Sequence, residues 1–215
     1  MGKRFYKVTS GMIRLFSHRM KTEWEVPFED GPCVFVASDA GMSGTVDMIT
    51  KFPLREKMHP WIFSSLEKAK SVPAYMRDER GQDKQGRVKK ATVPRFAAAV
   101  IPPLLQGIDY VPVYSGQEFI KTIRQSIRVL QKDQYLLLFP ERPGSNHRWI
   151  DTGWLRLGEL WYRAGGRALK MYPVHVDCKR HVFKVAAPIR YDPSRRFGDQ
   201  EQELAEKLSK GLRGE

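Results

Sequence analysis

Two short segments collect most of the side chains able to do chemistry. The first, Ser38-Asp-Ala-Gly-Met-Ser-Gly-Thr-Val-Asp47, is rich in glycine and serine and carries two carboxylates. The second, Phe139-Pro-Glu-Arg-Pro-Gly-Ser145, sets Glu141 beside Arg142, with His147 just past its end. Carboxylates and imidazoles move protons and guanidinium groups hold anions, so the pair supplies parts for acid–base work beside an anionic group. Each residue also has a plain alternative. Asp39 beside glycine is a favoured turn residue, and Glu141 can tie a loop together. His59, ahead of Pro60-Trp61, reads as a hydrogen-bonded or surface residue, and His175 and His181 flank a turn between strands. Cys33 and Cys178 are too few for a disulfide framework and belong to no metal-ligand cluster, so both are expected as buried, reduced thiols.

The elements that must position these segments follow from the apolar pattern. Cys33-Val-Phe-Val-Ala37 runs directly into the first segment, and Tyr135-Leu-Leu-Leu-Phe139 into the second. Short continuous apolar runs are strands buried on both faces. In open α/β sheets, ligands bind where loops leave the carboxyl ends of such strands. Tyr110–Tyr114 is a further strand, with Pro112 marking an edge or an irregularity. Leu169–Val176 and His181–Ile189 are strands around a polar turn at Asp177–Arg180. Ile120, Ile123, Ile127 and Leu130 form a helical stripe over Gln117–Lys132. Trp154, Leu157, Trp161 and Ala164 mark another helix, closed by Gly165-Gly166. Thr92–Leu105 is a helix with a proline-marked end, Lys84–Lys90 an exposed loop, and Leu204, Leu208 and Leu212 a last helix. This alternation predicts one α/β domain over residues 23–215, a mixed, largely parallel sheet flanked by helices.

Charge narrows the partners. The 215 residues carry 37 Lys+Arg against 24 Asp+Glu, a net +13, an excess that marks nucleic acid, an anionic membrane surface or an acidic ligand. Residues 1–22 hold Lys3, Arg4, Lys7, Arg14, Arg19 and Lys21 and no acid. Phe5, Val8, Met12, Phe16 and Met20 recur there at helical spacing. The segment reads as a basic amphipathic helix, either packed on the domain or lying among lipid headgroups. No apolar run approaches the roughly 18 residues of a membrane span, and no secretory signal is evident. A cytoplasmic protein, peripherally associated with the inner face of the membrane, is expected. Without zinc-ligand spacing, a ribonucleoprotein aromatic motif or a helix-turn-helix, nucleic acid is not expected as a partner.

Taken in order, these pieces resemble the glycerolipid acyltransferases that convert lysophosphatidic acid to phosphatidic acid. A buried strand ends in a Gly/Ser-rich turn, Tyr110-Val-Pro-Val-Tyr114 enters a helix, and the next strand ends in Phe139-Pro-Glu141. Tyr172-Pro-Val174 and Ala187-Pro-Ile189 complete the set. The likeness is strongest to a bacterial branch whose first motif runs Asn-His-x-Gly-x-x-Gly, since Asp39-Ala-Gly41-Met-Ser-Gly44 keeps both glycines.

The resemblance implies a glycerol-3-phosphate acyltransferase-like fold. It also implies transfer of a fatty acyl group from acyl-CoA or acyl carrier protein to a lysophospholipid or glycerol-phosphate acceptor, with no further cofactor and no metal. In the family a His is the general base, and arginines of the second and third motifs hold the acceptor phosphate. Here the His place is Asp39, the Arg places are Ser115 and Gly144, and Glu141 is kept. The resemblance thus assigns catalytic places to Asp39 and Glu141, with His147 as a substitute base. Substrate contacts fall to Ser38, Gly41, Gly44, Ser115, Arg142 and Ser145, and Lys121, Arg124 or Arg148 can replace the lost phosphate-binding charge. Reference pKa values of about 6.5 and about 3.9 put about 3.5 kcal/mol between the proton affinities of histidine and aspartate. Only a Brønsted fraction of that enters a barrier, so a slowed enzyme is one expectation. A noncatalytic relative that binds lipid or acyl carrier protein is the alternative.

Overall fold

The computed structural model describes residues 6, 11, 18–38, 41–63, 107–140, 152–165 and 167–214, without the side chains at 41–43 and 63. Strand β2 (Cys33–Ala37) stands at the centre, and all five of its residues are buried. Strands β5 (Tyr135–Leu138) and β6 (Lys170–Asp177) flank it, both parallel to it. Beyond β5 come β3 (Met58–Phe63) and the edge strand β4 (Val111–Val113), also parallel. Beyond β6 lie the antiparallel β7 (Val182–Val185) and then β1 (Lys21–Trp24), with β8 (Ile189–Arg190) pairing lower on β6. The order is β1-β7-β6-β2-β5-β3-β4. The expected α/β class and mixed, mostly parallel sheet are therefore present, and Pro112 sits in an edge strand, where a missing N–H costs least.

Strand alternation divides the core in two. Val34, Val36, Leu136, Leu138 and Met171 face helices α2 (Phe119–Leu130), α3 (Arg156–Gly165) and α4 (Phe197–Arg213). Cys33, Phe35, Ala37, Tyr135, Leu137 and Tyr172 face the other way, toward Met48, Ile49 and Phe52 at helix α1 (Gly41–Lys51) and its exit. An aromatic pile fills this second face, with Phe35 ring centroids 5.5 Å from Tyr172 and 5.2 Å from Phe52. On the first face α4 lies very close to β6: a Cβ at Gly211 would stand 2.5 Å from the Cβ of Pro173.

At the amino ends of the central strands, a polar clasp holds the turn before β2. Tyr135 Oη donates to Asp30 (2.5 Å), Lys170 Nζ to the Glu29 carbonyl (2.9 Å) and Arg190 to the Glu29 carboxylate (2.9 Å). The bond from Tyr135, helped by the Gly31 N–H, holds the Asp30 carboxyl below the usual range. Burial, with the Asp30 bond second, pushes the Tyr135 phenol up.

Four local expectations change. The loop expected over Ser38–Asp47 is helical from Gly41. The strand expected over His181–Ile189 breaks into β7 and β8 at Ala186–Pro188, where the Ala186 N–H donates to the Pro173 carbonyl (3.0 Å) and the Ala187 N–H to the Glu25 carboxylate (2.9 Å). Strand β3 was not legible as a strand, and neither was β1, whose first two residues fall within the helix expected over 1–22. Residues His18–Met20 are not helical and Lys21 opens β1, so that segment leaves the helix before its expected end. Of the residues ahead of it, Tyr6 and Gly11 are described and both are helical. The Tyr6 hydroxyl donates to the Ile49 carbonyl on α1 (2.8 Å). The helix expected over Thr92–Leu105 and the loop over Lys84–Lys90 lie outside the described residues.

Candidate active site at the carboxyl rim of the sheet

Parallel register fixes the heights of the strand ends. Val36 is level with Leu138 and Pro173, Pro60 with Leu137, and Trp61 with Val111. Ser38, Phe63, Val113 and Pro140 therefore stand at one height, one step along each strand past Ala37, Ile62, Pro112 and Phe139. From this rim the chain leaves β2 toward residues 39–40, β4 toward Ser115, and β5 toward 141–151. At about 4.8 Å between strands, the exits of β2 and β5 are immediate neighbours, while that of β4 lies about 10 Å from β5 and about 14 Å from β2.

Ser38 is 1% exposed and its groups are used by the sheet. Its N–H donates to the Val174 carbonyl and its Oγ accepts from the Val176 N–H, both at 2.9 Å. The side chain thus supplies the next rung of the β2–β6 ladder after the backbone of β2 has turned away. Gly41 is the first residue of α1 and Gly44 lies buried in its first turn, so the start of that helix stands at the rim. Asp47 is engaged one turn on, in an ion pair with Lys51 (2.5 Å) that is largely buried on both sides.

Ser115 is exposed, with φ −98° and ψ 161° and no capping bond from its side chain. Gly116 follows at φ 60°, a left-handed turn that glycine adopts without strain. Lys121 and Arg124 are exposed on the first turns of α2, at the rim end of that helix. Lys121 pairs with Glu118 and lies 5.7 Å from the centroid of the Tyr114 ring. These cations and Ser115 share the β4 exit, apart from Ser38, Gly41 and Gly44 at the β2 exit. Asp39, Glu141, Arg142, Ser145, His147 and Arg148 lie outside the described residues.

Two further polar groups were not read from sequence as candidates, Thr122 and the indole of Trp154, which was read only as part of a helical stripe. The Thr122 hydroxyl donates to the Pro112 carbonyl (2.9 Å) and accepts from the Tyr114 N–H (3.1 Å), stapling α2 to the end of β4. Its only signal was a polar residue on the buried side of an apolar stripe. Trp154, 4% exposed, opens the return from 141–151 in the 3₁₀ turn Gly153–Leu155. Its indole N–H is buried with no acceptor among the described residues.

The histidines expected to be structural are placed as such. His59 Nε2 hydrogen-bonds Gln134 Oε1, His175 Nδ1 lies 2.8 Å from the Leu212 carbonyl, and His181 stacks on His18 with centroids 4.4 Å apart. Cys33 is fully buried, and burial pushes its thiol up to about 12, which makes it a poor nucleophile. Among the described residues no three His, Cys, Asp or Glu side chains group as a metal site, and no helix is long and apolar enough to cross a membrane. Compared with protein-family models, with curated proteins and with solved structures, the chain matches none.

Proposed function

We propose that the protein is an acyltransferase of the glycerolipid type, passing a fatty acyl group from acyl-CoA or acyl carrier protein to a lysophospholipid or glycerol-phosphate acceptor at an anionic membrane surface. One observation supports the reading: three of the five segments that resemble the family's motifs, those after β2, β4 and β5, leave the sheet at a single rim. The first and third leave from neighbouring strands, and the second about 10 Å further along. Asp39, next to the buried Ser38 rung and just ahead of α1, takes the proton from an acceptor hydroxyl. That oxygen attacks the thioester carbonyl, and the thiolate leaves and takes up a proton. The N–H groups at the start of α1 suit the negative charge that develops on the carbonyl oxygen or a phosphate beside it. Lys121 and Arg124 supply charge on the β4 side, where a phosphate carried by either substrate can be held. The amino-terminal segment, through its six cations, holds the enzyme at the bilayer.

A second reading is favoured by the aspartate itself, which is a weaker base and a shorter side chain than the histidine of the family: a noncatalytic relative that binds the same ligands. The test is transfer of a labelled acyl group from acyl-CoA or acyl carrier protein to a lysophospholipid, followed in wild type, Asp39→Asn and Asp39→His. The catalytic reading expects slow transfer in wild type and a fall of at least tenfold in Asp39→Asn. Transfer that appears only in Asp39→His establishes the noncatalytic reading, and transfer unchanged in Asp39→Asn removes Asp39 from the base position.

A further inference from the structure

The positive charge is unevenly built into the helices. On α4, Asp199, Glu201, Glu203 and Glu206 in the first half are balanced by Lys207, Lys210 and Arg213 in the second, and Glu203 bridges Arg195 and Lys207. Such a helix is an ordinary solvated face. Helix α2 is different, since no acid falls within Phe119–Leu130. Lys121, Arg124, Arg128 and, just past its end, Lys132 are all exposed. At 100° per residue these four fall within about 80° of one another. They lie opposite the buried Thr122, Ser126 and Leu130, so the stripe points straight away from the sheet. It runs about 17 Å along the helix. Glu118 neutralises Lys121 at one end and Asp133 sits beside Lys132 at the other. Arg124 and Arg128 between them have no ion pair among the described residues.

A second observation falls on the same layer. The exposed large hydrophobic side chains among the described residues are Ile120 (48%) and Tyr162 (36%). Ile120 precedes Lys121 on α2, and Tyr162 belongs to α3, which packs beside α2. Arg156 and Arg163 of α3 are exposed as well, with Arg163 paired to Glu159. A row of cations with apolar side chains on the same layer suits a lipid headgroup region better than a purely charged partner. Phosphates take the cations, and shallow apolar side chains reach the acyl boundary.

We propose that the outer face of α2, with its neighbour α3, is a docking surface for anionic phospholipid bilayers, separate from the amino-terminal segment. The proposal rests on the membrane setting of the proposed function and not on its chemistry. It gives the rim a fixed relation to the bilayer: the stripe starts at the β4 exit, so a docked protein holds that exit beside the headgroups.

The test is co-sedimentation of the full-length protein with vesicles of phosphatidylglycerol and phosphatidylcholine, and with phosphatidylcholine alone. The variant is Arg128→Gln with Lys132→Gln, the end of the stripe farthest from the candidate site. A matched control removes two exposed cations elsewhere, Lys179→Gln with Lys210→Gln. The proposal expects salt-sensitive binding to the anionic vesicles, weakened roughly 30-fold by the stripe variant, at about 1 kcal/mol per cation, and much less by the control. Equal loss in stripe and control variants would show a diffuse field and overturn it. So would binding indifferent to phosphatidylglycerol, or retention by an acidic protein or nucleic acid without retention by vesicles. Because the readout is vesicle binding, an absence of acyl transfer would overturn the proposed reaction and leave the docking surface standing.

Discussion

Ser38 illustrates how a residue beside a candidate base can serve the fold. Its hydroxyl oxygen is the acceptor for the buried Val176 N–H, so Ser38→Ala strands a donor inside the sheet. A loss of about 1–3 kcal/mol is expected, read as a lower denaturation midpoint with an unchanged m-value; an unchanged midpoint would return Ser38 to the list of ligand contacts. At the opposite ends of the strands, Asp30 titrates lower in the folded chain because Tyr135 and the Gly31 N–H bond its charged form. Its contribution is present above the ordinary carboxylate pKa and is lost as the pH falls through the lowered folded value. Tyr135→Phe removes the largest of those bonds. The destabilisation it causes should therefore be greater at pH 6 than at a pH below the lowered folded value, where Asp30 is protonated in both proteins. Equal destabilisation at the two pH values would mean that the bond is not coupled to the charge.

Among the elements, the seating of α4 on β6 depends on a missing side chain. A methyl group at Gly211 would stand 2.5 and 2.8 Å from Pro173 carbons and 3.4 Å from Ala186. Gly211→Ala is expected to cost about 1–3 kcal/mol by overpacking, lowering the melting temperature, whereas Gly198→Ala, with open space around it, should be nearly neutral. The strands that could be read from sequence are those whose pattern is settled by burial alone. CVFVA and YLLL are apolar throughout because helices cover both sides of them. Strand β1 escaped because KTEW alternates exposed and half-buried positions at an edge and continues a basic run with helical spacing. Strand β3 escaped because MHPWIF carries a proline and a histidine, and nothing in its own residues shows that His59 will bond Gln134. The GMSGTVDMITK helix was hidden by its glycines, which read locally as a loop, until Met48 and Ile49 packed on the sheet. At the candidate site, order along the chain carried the motif segments to one rim. The distance between the β2 and β4 exits depended on strand order, which no local pattern encodes.

Over the whole molecule, the two ends of the parallel strands are built for different tasks. One rim is closed by the Glu29–Asp30 turn and its bonds to Lys170, Arg190 and Tyr135; the other releases the chain after β2, β4 and β5. The net charge of +13 likewise resolves into parts: α4 is internally compensated, and α2 is not. The strand order has one more effect, in time rather than in space. Cys33–Ala37 is made early, yet its neighbours are Tyr135–Leu138 and Lys170–Val174, and β1 must wait for Val182–Val185. During synthesis this apolar stretch has no native neighbour to pair with until β5, about 100 residues later, has been made. A growing polypeptide of this design exposes a sticky strand until Tyr135–Leu138 has been made. Its yield in the cell will depend on holding chaperones as much as on the stability of the finished fold.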